Sequence, residues 1–352
     1  MTASTRWLLV LAALVIVLAG IKTASGIVVP FLLSIFIAMS CHPIIQWTSR
    51  YGIPRIFSVL LVIGLIVVLG LMLAGLVGQS MNDFSARLPE YKAELELEFI
   101  WAAEQLAQFN IHLDEQQLLS YFDPGVAMGL VTNLLSGLSG VLANVFLILL
   151  TVIFMLFEGD SVPKKIHIAL DDPSMRLRQI DQVLFSVKNY LVIKTVVSGF
   201  TAAIIGTWLW FLGVEHFLLW SVLAFLLNYI PNIGSIIAAV PAVLLATVQL
   251  GLPEAGLVAL GYVVVNTVMG NVVEPKYMGK GLGLSTLVVF LSLIFWGWLL
   301  GTVGMLLSVP LTIIVKIALE SNDQTRWLAL LLADDPSDTS AFAARAEQAK
   351  VR

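Results

Sequence analysis

Two stretches of this chain run without a charged side chain for far longer than one membrane helix needs. Phe217 to Pro253 is 37 residues and Gly281 to Val315 is 35. A continuous helix of either length would reach roughly 50 Å, well past the ~30 Å hydrocarbon core of a bilayer. Two full crossings need about 40 apolar residues plus a turn, so each run is slightly short for that. Breaker residues interrupt both runs: Asn228-Tyr229-Ile230-Pro231-Asn232-Ile233-Gly234 in the first and Trp296-Gly297-Trp298-Leu299-Leu300-Gly301 in the second. The pattern predicts two half-length helices meeting inside the membrane, either re-entrant or doubly crossing, with irregular backbone between them. Such backbone survives at that depth only where protein buries it or water lines it. Broken apolar segments occurring twice in one chain point to the binding site of a secondary transporter.

The remaining apolar runs predict helices near 7–21, 26–46, 56–78, 131–157, 189–213 and 254–273. Gly26-x3-Pro30 and Cys41-His42-Pro43 punctuate the second of these. Segments 189–252 and 254–316 read as two units, each a full helix followed by a broken hairpin. Each hairpin carries a glycine upstream of a Val-Pro pair, Gly234 before Val240-Pro241 and Gly304 before Val309-Pro310, which suggests an inverted repeat.

The segment 82–123 differs in kind. Leu88, Tyr91, Leu95, Phe99, Ala102, Leu106 and Phe109 recur at spacings of three and four, giving an apolar stripe opposite an acidic face. Pro89 suits the first turn of that amphipathic helix. The stripe is expected either to cover the protein's outer surface or to form a seam between protomers. The expected organisation is therefore membrane helices over 1–78, an extracytoplasmic helical segment over 79–130, and a helix with a cytoplasmic loop over 131–188. A transport core over 189–320 (hairpins 217–252 and 284–316) and a cytoplasmic tail over 321–352 complete it.

Composition settles the class. The chain is 59% hydrophobic and 12% charged, where soluble domains carry about 25% charged residues. An all-α, polytopic integral membrane protein follows. A net charge of -4 with no Lys/Arg-rich block excludes nucleic acid as a partner. Cys41, the single cysteine, allows no intramolecular disulfide. Arg6 followed by Trp7–Gly20 imitates a signal peptide, but Lys22 stands where cleavage would fall and a further apolar run follows, so a retained first helix is expected. Lys and Arg near the segment ends, with the acidic character of 79–130, place both termini and the 47–55 and 158–188 loops in the cytoplasm.

Enzyme signatures are missing. Gly279-Lys280-Gly281-Leu282 fails the phosphate-binding loop pattern, and His42, His112, His167 and His216 share no metal-ligand spacing, so neither a cofactor nor a metal is expected. The strongest polar cluster is Asn266-x4-Asn271-x2-Glu274-Pro275. Asn271 and Glu274, three apart, share a helical face, and Pro275 disfavours helix at Glu274. Glu274 could accept hydrogen bonds from a solute or bind a cation; alternatively it pairs with Lys276 or Lys280 at the cytoplasmic interface. Asn228, Tyr229 and Asn232 offer a second polar set at the first break. Lys194, one turn into its expected helix, reads as snorkelling to the interface.

Three blocks resemble the autoinducer-2 exporter family: Leu227–Gly234, Asn271-Val272-Val273-Glu274-Pro275-Lys276-Tyr277-Met278-Gly279, and Gly301-x2-Gly304-Met305-Leu306-Leu307-Ser308-Val309-Pro310. The resemblance implies a secondary transporter of the bacterial inner membrane that moves a small polar quorum-sensing signal, autoinducer-2, outward. It also implies a homo-oligomer, a pentamer being the assembly suggested. Asn228, Tyr229, Asn232, Asn266, Asn271 and Glu274 would then line the pathway. Pro231, Gly234, Pro275, Gly297, Gly301, Gly304 and Pro310 would shape its breaks. A monovalent cation/proton antiporter with Glu274 as the exchanged acid is the first alternative, and a non-transporting membrane scaffold is the second.

Overall fold

The computed structural model describes residues 3–107, 129, 132–133, 136, 144–159, 173–231, 233–278, 283–320 and 324–334. Among them the secondary structure is helical, without a strand. Among the described residues, five helical stretches are long and apolar enough to cross a membrane: Ser25–Arg50, Arg55–Phe84, Leu184–Leu212, Leu252–Tyr277 and Thr286–Leu306. The all-α polytopic reading holds.

The chain divides into two compact units, and α3 (Arg55–Ala107) and α5 (Pro173–Leu212) each run from one into the other. The first unit comprises 1–64, 146–193 and 277–352. It contains α1 (Ala3–Thr23), α2 (Ser25–Arg50), α4 (Val145–Glu158), α10 (Thr286–Leu306), α11 (Ser308–Glu320) and α12 (Arg326–Leu332). Here α1 and α2 pack on α10, and α11 packs between α10 and α12. Pro30 and Pro43, expected to punctuate α2, lie inside it. The Ser34 hydroxyl donates to the Pro30 carbonyl at 2.7 Å, and it also reaches the Ile148 carbonyl of α4 at 3.2 Å.

The second unit comprises 65–145 and 194–276. Its helices are the later parts of α3 and α5, then α6 (Phe217–Leu227), α7 (Gly234–Leu250) and α8 (Leu252–Val268). A π-turn, Met269–Val273, leads into the short α9 (Glu274–Met278). The predicted first hairpin is present: α6 and α7 pack against each other across the break at 228–233. At 11 and 17 residues, the two arms reach about 16 and 25 Å, each short of a ~30 Å crossing.

One core binds this unit. Trp220, Leu223 and Leu219 of α6, Ala242 and Leu245 of α7, Val258 and Tyr262 of α8, and Leu209 of α5 are buried together. Phe84, Tyr91 and Leu95 of α3 join the same cluster, with Leu88 packed against it. The stripe on the amphipathic segment thus serves, over these residues, as an intramolecular cover; the side chains of Phe99, Ala102, Leu106 and Phe109 lie outside the described set. Pro89 does not open that helix. It sits inside α3, which runs for 53 residues through 79 without a stop, because nothing between the apolar span and the amphipathic stripe breaks the helical pattern.

Candidate functional site

The second unit gathers polar side chains from three directions onto one face of α5. Lys194, Thr195 and Ser198 supply that face, since residues three and four apart lie side by side on a helix. From the hairpin break, the Asn228 amide donates to the Ser198 hydroxyl at 2.9 Å, and the Tyr229 hydroxyl shares a 2.6 Å hydrogen bond with Thr195 Oγ1. From α9, both carboxylate oxygens of Glu274 receive Lys194 Nζ, at 2.6 and 2.8 Å. The Lys194 side chain is 4% exposed and that of Glu274 is 18% exposed. Ser198 and Thr201, the next positions along the same stripe, are buried.

Two sequence expectations change here. Lys194 does not snorkel. Its side chain is 4% exposed and its ammonium meets the Glu274 carboxylate, and its helix begins at Pro173, well before the expected start near 189. Glu274 pairs with Lys194 and not with Lys276, whose side chain is exposed; Lys280 is outside the described residues.

The local backbone explains how Glu274 turns inward. At the π-turn the Glu274 N–H bonds back five residues, to the Met269 carbonyl. That extra residue per turn offsets the helical faces, so Asn271 is exposed while Glu274 is half-buried. Pro275 does not end the helix; it lies just after the π-turn, within α9, which continues α8 without a break. Asn266 is half-buried on α8. Neither it nor Asn271 makes a side-chain hydrogen bond to another described residue.

The break itself is built by tight turns. Ile230 N–H bonds to the Leu227 carbonyl at 2.8 Å and Ile233 N–H to the Pro231 carbonyl at 2.6 Å. Gly234 then packs so closely that a Cβ there would strike the Leu227 carbonyl. Asn232 lies outside the described residues. The first unit holds the other predicted break, displaced toward its C-terminal end. Gly297 remains helical against Met305, and the kink falls at Gly301, whose φ of 71° and ψ of -153° depart from the helix. A Cβ at Gly304 would meet the Trp296 carbonyl, the counterpart of Gly234 against Leu227. Pro310 is buried in the first turn of α11.

Sequence reasoning missed Lys194, Thr195 and Ser198 as partners of the break. A signal was present: Lys194, Ser198 and Thr201 repeat at four and three residues inside an otherwise apolar helix, and an ionisable residue inside a span is by default a functional one. Among the described residues no group of three or more His, Cys, Asp or Glu could hold a metal ion. The arrangement offers a neutral ion pair, an amide and hydroxyls in a low-dielectric surround. It can exchange hydrogen bonds with a small polar solute.

A multi-span helical protein with a broken hairpin folded over a buried polar cluster has the architecture of a membrane transporter. Residues 11–323 match the family described as AI-2E family transporter, and the chain belongs to that family. It is 46% identical to the AI-2 transport protein TqsA of Escherichia coli (strain K12), over 93% of this chain and 95% of that protein. A Haemophilus influenzae protein whose name proposes transport without a substrate is 45% identical over 94% of this chain and 96% of its own length. YhhT of Escherichia coli (strain K12), likewise named for transport, is 42% identical over 92% and 93%.

Proposed function

We propose that this protein exports autoinducer-2 across the bacterial cytoplasmic membrane, through the polar cluster of its second unit. The near full-length similarity to a protein named for AI-2 transport supports the solute. The observation that carries the site is the Lys194–Glu274 pair buried beside the Asn228–Tyr229 break. A hydroxyl-rich neutral molecule can be held by swapping its hydroxyls into such bonds. Asn228, Tyr229, Asn232, Asn266, Asn271 and Glu274 line the pathway in this reading. Both termini lie in the cytoplasm, and the protein works as a homo-oligomer.

The test is the partition of the signal. Cells overproducing the protein should hold less autoinducer-2 inside and release more outside than cells lacking it; an unchanged partition rejects the proposal. Asn228→Ala should reduce the export rate by about tenfold, the equivalent of one good hydrogen bond. Protein level is measured in the same cells.

A further inference from the structure

Between residues 189 and 275 the charged side chains are Lys194, Glu215, Glu254 and Glu274. Glu215 is exposed, joined to Arg87 at 3.3 Å, and Glu254 opens α8. Lys194 is therefore the one cation of this stretch, and it is spent entirely on Glu274. A buried carboxylate without a partner is costly enough that it takes up a proton or a metal cation. The Lys194 ammonium supplies that charge from within the protein, at hydrogen-bond distance to both oxygens.

We infer that Lys194 sets the charge selectivity of this site: as the built-in counter-ion of Glu274 it closes the site to cations and leaves it open to neutral, hydroxyl-bearing solutes. The geometry bears on this in two ways. The pair carries no net charge, so a bound cation would have to displace the Lys194 ammonium from a buried bidentate contact. Meanwhile the neighbouring Ser198–Asn228 and Thr195–Tyr229 bonds join uncharged groups, which a solute hydroxyl can replace one for one. The solute half of this inference rests on the transport reading above. The cation half rests on the ion pair alone.

The experiment reconstitutes the full-length protein in vesicles carrying a pH-sensitive dye and follows two readouts: flux of labelled autoinducer-2, and proton movement on adding sodium or lithium chloride. Wild type should carry the solute and give no cation-driven proton signal. Lys194→Gln should lose solute flux by about tenfold or more and gain a cation-driven signal, which Lys194→Gln with Glu274→Gln should abolish. Residues in contact couple, so the double variant should lose far less solute flux than the product of the two single losses. The exchanged pair Lys194→Glu with Glu274→Lys, neutral again, should exclude cations even where Lys194→Gln folds poorly. A folded Lys194→Gln protein without any cation-driven signal overturns the inference, as does an exchanged pair that conducts cations. Wild-type vesicles that carry no labelled solute overturn the transport reading instead, and the cation arm still decides the role of Lys194.

Discussion

At the scale of single residues, the buried ion pair makes the sharpest prediction. Breaking a buried pair from one side strands a charge at a cost on the order of 3–5 kcal/mol, less where the stranded group is only half-buried, as Glu274 is, whereas replacing both partners by apolar groups of similar size is often close to neutral. Lys194→Met should accordingly lower the midpoint of thermal unfolding in detergent by several degrees. Lys194→Met combined with Glu274→Met should recover most of the loss. Equal losses in the single and double variants would mean that the two side chains are not coupled. Legibility at this scale was uneven. Glu274 was readable because proline and asparagines mark its neighbourhood. Lys194 was misread because its partner, Glu274, lies 80 residues further along the chain and no local pattern marks their pairing.

Helical elements carry two further predictions. Both hairpin arms fold back where a glycine meets a main-chain carbonyl, Gly234 at Leu227 and Gly304 at Trp296. Backbone cannot move aside as a flexible side chain can. Gly234→Ala and Gly304→Ala should each destabilise the fold by about 1–3 kcal/mol or more, as overpacking does, and should slow transport; unchanged unfolding midpoints would show that the breaks are looser than described. The amphipathic end of α3 is held down by Tyr91 and Leu95 against α6, α7 and α8. Leu95→Ala should cost about 2–5 kcal/mol locally, read as faster amide hydrogen exchange over 88–98 while the transmembrane part of α3 stays protected. Were the stripe a seam between protomers instead, the same substitution would change the oligomeric state before it changed exchange within the protomer. The amphipathic spacing was legible here, but its target was not. A stripe records that a face is buried, not what buries it.

For the whole molecule, the proposed orientation can be tested with single cysteines introduced after Cys41→Ser. A membrane-impermeant thiol reagent should label Gly52→Cys only from the cytoplasmic side and Asp114→Cys only from the outer side. The reverse result would overturn the proposed orientation.

What the sequence alone determined is everything that depends on local chemistry. Uncharged runs had to enter lipid, proline and glycine had to break two of them, and backbone that must satisfy its own hydrogen bonds in hydrocarbon had to be helical. The family, too, was carried by short contiguous blocks. Tertiary structure decided which polar groups meet. Lys194 and Glu274 are 80 residues apart, Thr195 and Tyr229 34, Ser198 and Asn228 30. Their meeting depends on how α5 packs beneath the hairpin and on a π-turn that rotates Glu274 inward. Hydrophobic periodicity carries no information about either, because the apolar residues that set the packing are interchangeable along the chain and the polar ones that it brings together are few.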